Sequence, residues 1–185
     1  MSLKHAILGF LNYQSQTGYE LKEVFDDSVQ HFWSADQSQI YRTLNELMTE
    51  NCVTMEVVPQ DNRPNRKVYT ITKTGREELR RWLQQPPPQQ TSRSAGLIQV
   101  FFAGQLSDEE ILQKFEAVAE YCRKALEVYQ AISNGTIAEY EKEVGPREAY
   151  CWNLTVDLGL RSVQAQLEWA ENVIKQIKRG KIPAK

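Results

Sequence analysis

The stretch SADQSQIYRTLNELMTENCVTMEVVPQDNRPNRKVYTIT, residues 34–72, combines two different patterns of apolar residues. In its first half Ile40, Leu44 and Leu47 recur at spacings of four and three, which places them on one face of a helix. Beyond that helix apolar and polar residues alternate, and two β-favouring runs flank the polar turn Pro59–Asn65. The stretch therefore predicts an amphipathic helix followed by a β-hairpin.

The sequence predicts two helices before this stretch and one after it. Apolar residues at helical spacing between Leu3 and Leu11 mark the first, and Thr17–Glu20 has the capping-box pattern that opens the second. Ser34–Gln37 and Thr74–Glu77 have the same pattern, for the third helix and for a helix that Pro86 must end. Three helices followed by a hairpin form the winged helix-turn-helix layout, whose third helix enters the major groove of DNA.

The charge of the chain is compatible with DNA binding only if cations are placed locally. The sequence has 22 Lys and Arg against 24 Asp and Glu, and residues 1–83 carry ten against eleven. Since phosphate contacts from cations produce salt-dependent affinity, a DNA-binding chain of this composition must concentrate them. Arg63, Arg66 and Lys67 crowd the hairpin tip, and Arg42 lies mid-face on the third helix. Positive charge is thus predicted where a winged helix needs it.

The outward face of the third helix carries side chains that donate hydrogen bonds to phosphates and base edges. We expect DNA contacts from this face and from the wing. The residues concerned are, on the helix, Ser38, Gln39, Tyr41, Arg42 and Asn45 and, on the wing, Arg63, Asn65, Arg66 and Lys67. The alternative is a winged helix that serves as a protein-interaction module without DNA affinity, because exposed helix faces and hairpin tips are polar in many proteins.

Several motifs in the first 85 residues resemble those of the PadR-type transcriptional regulators. They are HAILGFL at 5–11, TGYEL at 17–21, FW at 32–33, SQIYRTL at 38–44 and RKVYTITKTG at 66–75. The length and helical character of the second half resemble the AphA-like subgroup, which has a long C-terminal helical domain. The resemblance implies a homodimer on a pseudo-palindromic operator, often a repressor and sometimes released by phenolic acids or other aromatic ligands.

The same resemblance implies which residues meet the DNA. It places Tyr19 there, together with Ser38, Gln39, Tyr41 and Arg42 on the helix and Arg63, Arg66 and Lys67 on the wing. Many relatives have Pro where Arg42 stands. Whether Arg42 reads a base or anchors a phosphate therefore stays open.

A proline-rich segment divides the chain. Consecutive prolines at 86–88 favour polyproline II and cannot continue a helix. We expect a mainly α-helical protein with a winged helix-turn-helix domain at 1–85, a linker at 86–95 and a helical dimerisation domain at 96–185, which is also the candidate effector domain.

The second half is predicted to be helical almost throughout. A short, strongly apolar helix at 97–102 precedes a longer one, which the capping box Ser107–Glu110 opens and Asn134-Gly135 stops. Gly145-Pro146 introduces a final helix that reaches about Lys178, with Pro near its first position.

The final helix is predicted to form the dimer contact. Its apolar residues alternate at spacings of three and four, which favours coiled-coil-like packing at a shallow angle. Leucines on other faces exceed what one partner within the chain would bury, so a second copy is expected to cover them. Gly159 is expected to allow close approach of helix backbones. The residues assigned to the contact, whose face is left open, are Trp152, Val156, Gly159, Leu160, Val163 and Leu167.

Two aromatic residues and two cysteines in the second half each allow two interpretations. Phe101 and Trp152 are candidate walls of an effector pocket, the alternative being core or interface packing. Cys122 and Cys151 fall on helix faces predicted to be buried, where inert packing is favoured over redox sensing.

Motifs typical of enzymes and metal sites do not occur in the sequence. There is no GxxxxGK[ST], GxSxG or HExxH, and His5 and His31 lack metal-ligand spacing with another His or Cys. We expect no enzyme, no metal and no cofactor. The three cysteines lie far apart and no run of about 18 apolar residues occurs, so a cytoplasmic location without a membrane partner is expected.

Overall fold

The computed structural model describes residues 2–29, 32–60, 65–87, 93–133, 142, 144–181 and 183. The chain forms two compact units, Met1–Gln89 and Gln90–Lys185, and each has a hydrophobic core of its own. Among the helices in these ranges, none combines the length and apolarity needed to span a lipid bilayer.

The first unit has the predicted winged-helix order of elements. They are α1 (Ser2–Tyr13), β1 (Gln16–Thr17), α2 (Gly18–Asp27), α3 (Gln37–Thr49), β2 (Val53–Val58), β3 (Arg66–Ile71) and α4 (Lys73–Leu83). Strands β2 and β3 form the predicted antiparallel hairpin, from the pair Val53↔Ile71 to the pair Val58↔Arg66. The short strand β1 adds to the other edge of β3 through Gln16↔Tyr69, so the sheet has three strands in the order β1-β3-β2.

The core of the first unit lies between the three helices and the inner face of the sheet. Leu21, Ile40, Leu44 and Leu47 have no exposed surface. Burial of each such side chain stabilises the fold by about 1.5–3 kcal/mol. The apolar stripe predicted on the third helix is therefore the surface that holds α3 in place.

The N-terminal cap of α3 differs from the prediction. Asp36, not Ser34, is the cap: its carboxylate accepts from the Gln39 backbone N–H at 2.7 Å, and the Gln39 side chain accepts from the Asp36 N–H at 3.1 Å. Ala35 before the cap and Ile40 four residues after it are both buried in the same core. This hydrophobic staple fixes the start of the helix two residues later than the pattern suggested.

The start of α4 also lies earlier than predicted. Thr72 is the cap, and its hydroxyl oxygen accepts from the Gly75 N–H at 3.0 Å and donates to the Asn51 carbonyl at 2.7 Å. The Thr72 N–H donates to the Cys52 carbonyl at 3.0 Å. Gly75 lies so close that an added Cβ would be 2.2 Å from the same carbonyl oxygen. Strand β3 thus passes directly into α4 against the end of α3.

The second unit is a pair of long helices with shorter ones before them. Its elements are α5 (Ala95–Phe101), a 3-10 turn (Ala103–Gln105), α6 (Asp108–Ala131) and α7 (Pro146–Lys178). Helix α6 begins with the predicted Ser107–Glu110 capping box, and α7 begins with Pro146 after Gly145, whose φ is +96°. The predicted stop at Asn134-Gly135 lies outside the described residues.

The C-terminal part of α7 shares one core with α6. The buried members of this core are Ala103, Ile111, Phe115, Ala119, Cys122, Leu167, Ala170 and Ile177. Phe115 also meets Trp169 edge to face at 5.1 Å between ring centroids. In α5, by contrast, no residue is buried.

Within one chain, two residues of the second unit have surroundings that the sequence did not predict. Cys151 is exposed, because it follows the buried Ala149 by two positions and so points to the other side of α7; Cys122 is buried as predicted. Gly159 accommodates a side chain and not a helix backbone. A Cβ at Gly159 would lie 2.4–2.7 Å from ring atoms and the hydroxyl oxygen of Tyr129.

Candidate nucleic-acid interface

An open groove of about 710 Å³ runs between the start of α2, the exposed side of α3 and the wing formed by β2 and β3. It brings together five of the ten residues predicted to meet DNA: Tyr19, Tyr41, Asn65, Arg66 and Lys67. The other residues of its lining are Thr17, Glu20, Glu23 and Gln60. The helix and the wing predicted from separate parts of the sequence therefore face one surface.

The remaining predicted side chains on α3 are solvent-exposed. Ser38, Gln39, Arg42 and Asn45 lie on the side opposite the buried stripe. The Gln39 amide oxygen is engaged in the helix cap. Its amide NH₂ retains two donors for a base edge or a phosphate.

Tyr41 is held against the first residue of α2. Its ring lies over Gly18, where an added Cβ would be 2.6 Å from the ring atoms Cε1 and Cζ. Burial, with a smaller contribution from Tyr41, raises the pKa of the Tyr69 phenol on β3. Tyr41 itself is 37% exposed. Glycine at position 18 thus sets where the Tyr41 hydroxyl stands at the rim of the groove.

Arg66 crosses from the wing to α2. Its Nη2 donates to Glu20 Oε1 at 2.5 Å, and both side chains are nearly half exposed. Glu20 is also part of the α2 capping box, in which Oε2 accepts from the Thr17 N–H at 2.7 Å. The Thr17 backbone bond first, and then the Thr17 hydroxyl and Arg66, hold the pKa of Glu20 below its ordinary value. Sequence reasoning treated Glu20 only as a cap.

The cations of the site divide into paired and unpaired ones. Arg66 is paired with Glu20, and Lys22 on α2 is paired with Asp26. Arg42 and Lys67 are exposed and form no ion pair within the described part of the chain. Arg63 lies outside the described residues. Positive charge is therefore available on both the helix and the wing.

The six residues predicted for dimerisation lie on one broad side of α7, since they fall within about 100° of each other around the helix axis. Val156 and Leu167 are buried within the chain, Val163 packs against the α6–α7 core, and Gly159 supports Tyr129. Trp152 and Leu160 are half-buried. A different face of α7 is strongly exposed. Its residues follow each other about one helical turn apart: Tyr150 is 65% exposed, Leu154 51% and Leu158 67%. The sequence had assigned these leucines to other faces without choosing among them.

The two candidate effector residues lie on different helices and differ in solvent exposure. Phe101 is 81% exposed on α5 and meets Phe102 edge to face at 5.0 Å between ring centroids. Trp152 is half-buried on α7. A pocket formed by both residues stays a prediction.

Comparison with known proteins matches both halves of the chain. Residues 7–81 match the transcriptional regulator PadR-like family, and residues 92–178 match the family described as virulence activator alpha C-term. A probable transcriptional regulator of Mycobacterium tuberculosis, Rv1176c, is 32% identical over 96% of this chain and 98% of its own length. The negative transcriptional regulator PadR of Bacillus subtilis is 29% identical over 95% and 97% of the two chains.

Solved structures resemble the chain along almost its whole length. Bacillus subtilis PadR in complex with operator DNA has a TM-score of 0.84 at 26% identity and covers 96% of this chain and 99% of its own. The same protein has been solved with p-coumaric acid, with a TM-score of 0.77. The Vibrio cholerae virulence activator AphA has a TM-score of 0.72 at 28% identity, over 96% and 98% of the chains. Because relatives match both the winged helix and the long helices after it, the chain belongs to the PadR-like family of transcriptional regulators, with the C-terminal helical domain also found in AphA.

Proposed function

We propose that this transcriptional regulator binds double-stranded DNA sequence-specifically, as a homodimer on a pseudo-palindromic operator. One observation carries the proposal: the groove in which Tyr41 of α3 meets Arg66 and Lys67 of the wing. A helix in the major groove and a wing on the neighbouring backbone would occupy these two sides. The winged-helix domain at 1–85 would perform this binding, and the helices at 96–185 would join two copies beyond the linker at 86–95.

The side chains of the groove have different roles in this proposal. Ser38, Gln39, Tyr41 and Asn45 on α3 read base edges, because hydroxyl and amide groups match base donors and acceptors. The cations on the wing, with Tyr19 at the start of α2, bind phosphates, and they fix the register of the protein on the duplex. Arg42 lies on the same helix face and adds a further cation.

Exposed apolar surface on the second unit supports the homodimer. Tyr150, Leu154 and Leu158 form a stripe along α7, and the α6 residues Tyr121 and Val128 are 71% and 58% exposed. Large apolar patches on a folded chain mark interaction surfaces. A second copy related by a two-fold axis would cover identical stripes and would present two α3 helices to two half-sites. The six residues predicted from the sequence lie on the other side of α7, where Val156 and Leu167 are buried within the chain, so the proposed contact uses a different face of the helix.

Repression and release by a small aromatic molecule complete the proposal. The Bacillus subtilis relative is a negative regulator, and one of its solved structures contains p-coumaric acid. We propose that this chain also represses in the cytoplasm and that an aromatic effector releases it, with Phe101 and Trp152 as candidate walls of the effector site. A thermal-shift screen of phenolic acids should find a stabilising ligand that also weakens DNA binding, and a screen without such a ligand would contradict this part.

The test of DNA binding is a fluorescence-anisotropy titration at several salt concentrations. The probes are a duplex from the region upstream of the chain's own gene, duplexes that the protein enriches from a random library, and an unselected duplex. We expect tighter binding to an enriched or upstream duplex and an affinity that falls steeply with salt. A variant with Arg42 and Lys67 changed to Gln should bind all three less tightly, with a shallower salt dependence.

The competing function is a protein-interaction module without DNA affinity. It predicts no binding to any duplex even at low salt, and no effect of the Gln variant. Its exposed α3 face would then serve a protein partner, and the anisotropy titration separates the two functions directly.

A further inference from the structure

Glu20 has a position in the groove that capping alone does not explain. Its carboxylate links two elements that are 46 residues apart in the chain: Oε1 accepts from Arg66 at the start of β3, and Oε2 accepts from the Thr17 N–H at the start of α2. Each oxygen therefore has its own partner, one on the wing and one on the helix-turn-helix.

We propose that Glu20 is a positioning residue for DNA binding, which fixes the Arg66 guanidinium in the groove so that its free N–H groups serve the DNA phosphates. This inference rests on the proposed function. It adds a second role to a residue whose sequence pattern indicates only a helix cap.

The attachment of Glu20 to α2 gives the Arg66 side chain a rigid support. The Glu20 N–H donates to the Thr17 hydroxyl at 3.2 Å while the Glu20 carboxylate accepts from the Thr17 N–H, so the carboxylate is fixed on a helix. An arginine on a hairpin has many rotamers, and ordering a side chain of this kind on binding weakens association by about two- to tenfold. Glu20 removes part of this loss because Arg66 is ordered before the DNA arrives.

The guanidinium group has enough donors for both partners. It carries five N–H groups in a planar fork, and one nitrogen, Nη2, binds Glu20. Nη2 keeps a second N–H, which together with a neighbouring nitrogen can still make the two-point contact with a phosphate that arginine favours. Lys67, the next residue along β3, and Tyr41 line the same groove, so Arg66 lies within a surface suited to the DNA backbone.

Glu23 provides a matched control for charge. It is a carboxylate on the same helix and lines the same groove, but it is exposed and forms no ion pair in the parts of the chain that the structure describes. Loss of either negative charge reduces repulsion of the phosphates. A purely electrostatic role predicts tighter DNA binding for both Glu20→Gln and Glu23→Gln, whereas positioning predicts opposite effects.

The experiment is an anisotropy titration of wild type, Glu20→Gln, Glu23→Gln, Arg66→Gln and the double variant Glu20→Gln/Arg66→Gln. The probes are a duplex enriched by the wild type from a random library and an unselected duplex, each at several KCl concentrations. The Gln amide oxygen can still accept from the Thr17 N–H, so the melting temperature of Glu20→Gln should stay close to that of wild type. Melting curves of all variants check this point.

Positioning predicts that Glu20→Gln weakens binding to both duplexes by about two- to tenfold and makes the negative slope of log K against log salt shallower by up to about 0.9, the value for one phosphate contact. Glu23→Gln should bind more tightly than wild type. Arg66→Gln should reproduce the loss, and adding Glu20→Gln to it should cause no further loss, because the two residues act through one contact.

Two results would overturn the inference while the proposed function stands. Glu20→Gln could bind as tightly as Glu23→Gln, which would leave only electrostatic repulsion. Glu20→Gln could instead weaken binding as much in the Arg66→Gln background as in wild type, which would make the cap the cause. Failure of wild type to bind either duplex would overturn the proposed function and this inference together.

Discussion

Substitution of Gly18 by Ala should separate DNA recognition from stability. The new Cβ would lie 2.6 Å from Cε1 and Cζ of Tyr41. Carbon atoms in favourable contact are about 3.5–4.0 Å apart, so the Tyr41 ring must move by about 1 Å. Functional groups must be held within about 0.5 Å of their productive geometry, so a shift of this size breaks a base contact.

The size of the effect follows from the contact that is lost. A good contact to a base edge provides about 1–3 kcal/mol of discrimination, which corresponds to a loss of about 5- to 150-fold in affinity for the preferred duplex. Binding to an unselected duplex should change much less, because phosphate contacts carry it. Tyr41 is partly exposed and its ring end can swing outward, so the free energy of unfolding should change by less than about 1 kcal/mol.

The assay is an anisotropy titration with an enriched and an unselected duplex, together with urea denaturation. Tyr41→Ala provides the background for a double-mutant cycle, in which Gly18→Ala should have no further effect on DNA binding. Wild-type affinity and specificity in a stably folded Gly18→Ala variant would refute the reasoning. An equal loss in the Tyr41→Ala background would show that Gly18 acts through another contact.

Three other substitutions test stability, assembly and the effect of pH. Gly75→Ala brings a Cβ to 2.2 Å from the Cys52 carbonyl oxygen, so urea denaturation should show that the free energy of unfolding falls by about 1–3 kcal/mol. Gly9→Ala, whose new Cβ would have nothing within 4 Å, should show no such loss. Equal stabilities of the two variants would contradict the close packing at Gly75. Leu158→Asp should convert the dimer to a monomer in sedimentation experiments, because it places a charge in the exposed apolar stripe. Gln166→Asp, at an exposed polar position on the same helix, should leave the dimer intact. A dimeric Leu158→Asp variant would place the interface elsewhere. The pKa of Glu20 is lowered in the folded state, so its contribution to stability is present above the ordinary carboxyl range and is lost as pH falls through its folded value. The free energy of unfolding, measured by urea denaturation at several values from pH 7 to pH 3, should therefore fall less steeply with decreasing pH for Glu20→Gln than for wild type. An equal pH dependence of the two proteins would argue against the carboxylate contacts.

Much of the fold follows from local patterns in the sequence. The stripe of Ile40, Leu44 and Leu47 predicted the buried face of α3, because burial of a periodic face decides how a helix sits on its core. After α3 the change to alternating apolar and polar residues predicted the hairpin, because such alternation places the apolar residues of a strand on one face. Strand β1 was missed because two residues carry no period, and it exists only through pairing with β3. The caps of α3 and α4 were displaced by two residues because the core and the preceding strand, and not the capping pattern alone, decide where each helix starts.

The candidate site was predictable in part. The polar face of α3 and the basic wing follow from residue type and spacing, and the structure brings Tyr41, Arg66 and Lys67 to one groove. The contacts of Glu20 with Arg66 and of Gly18 with Tyr41 join residues that are 46 and 23 positions apart. No local signal reports such pairs, because they depend on how α2 packs against the wing and α3.

Hydroxyl-radical footprinting on an enriched duplex shows whether the protein binds as a dimeric winged-helix regulator. Two α3 helices related by a two-fold axis should protect two symmetric half-sites, with centres about 10–10.5 base pairs or a multiple of this apart. Protection at this spacing, lost when Arg42 and Lys67 are changed to Gln, is the result that a dimeric winged-helix regulator predicts. A single protected site, or cleavage as uniform as on free DNA under conditions where the duplex was enriched, would contradict it.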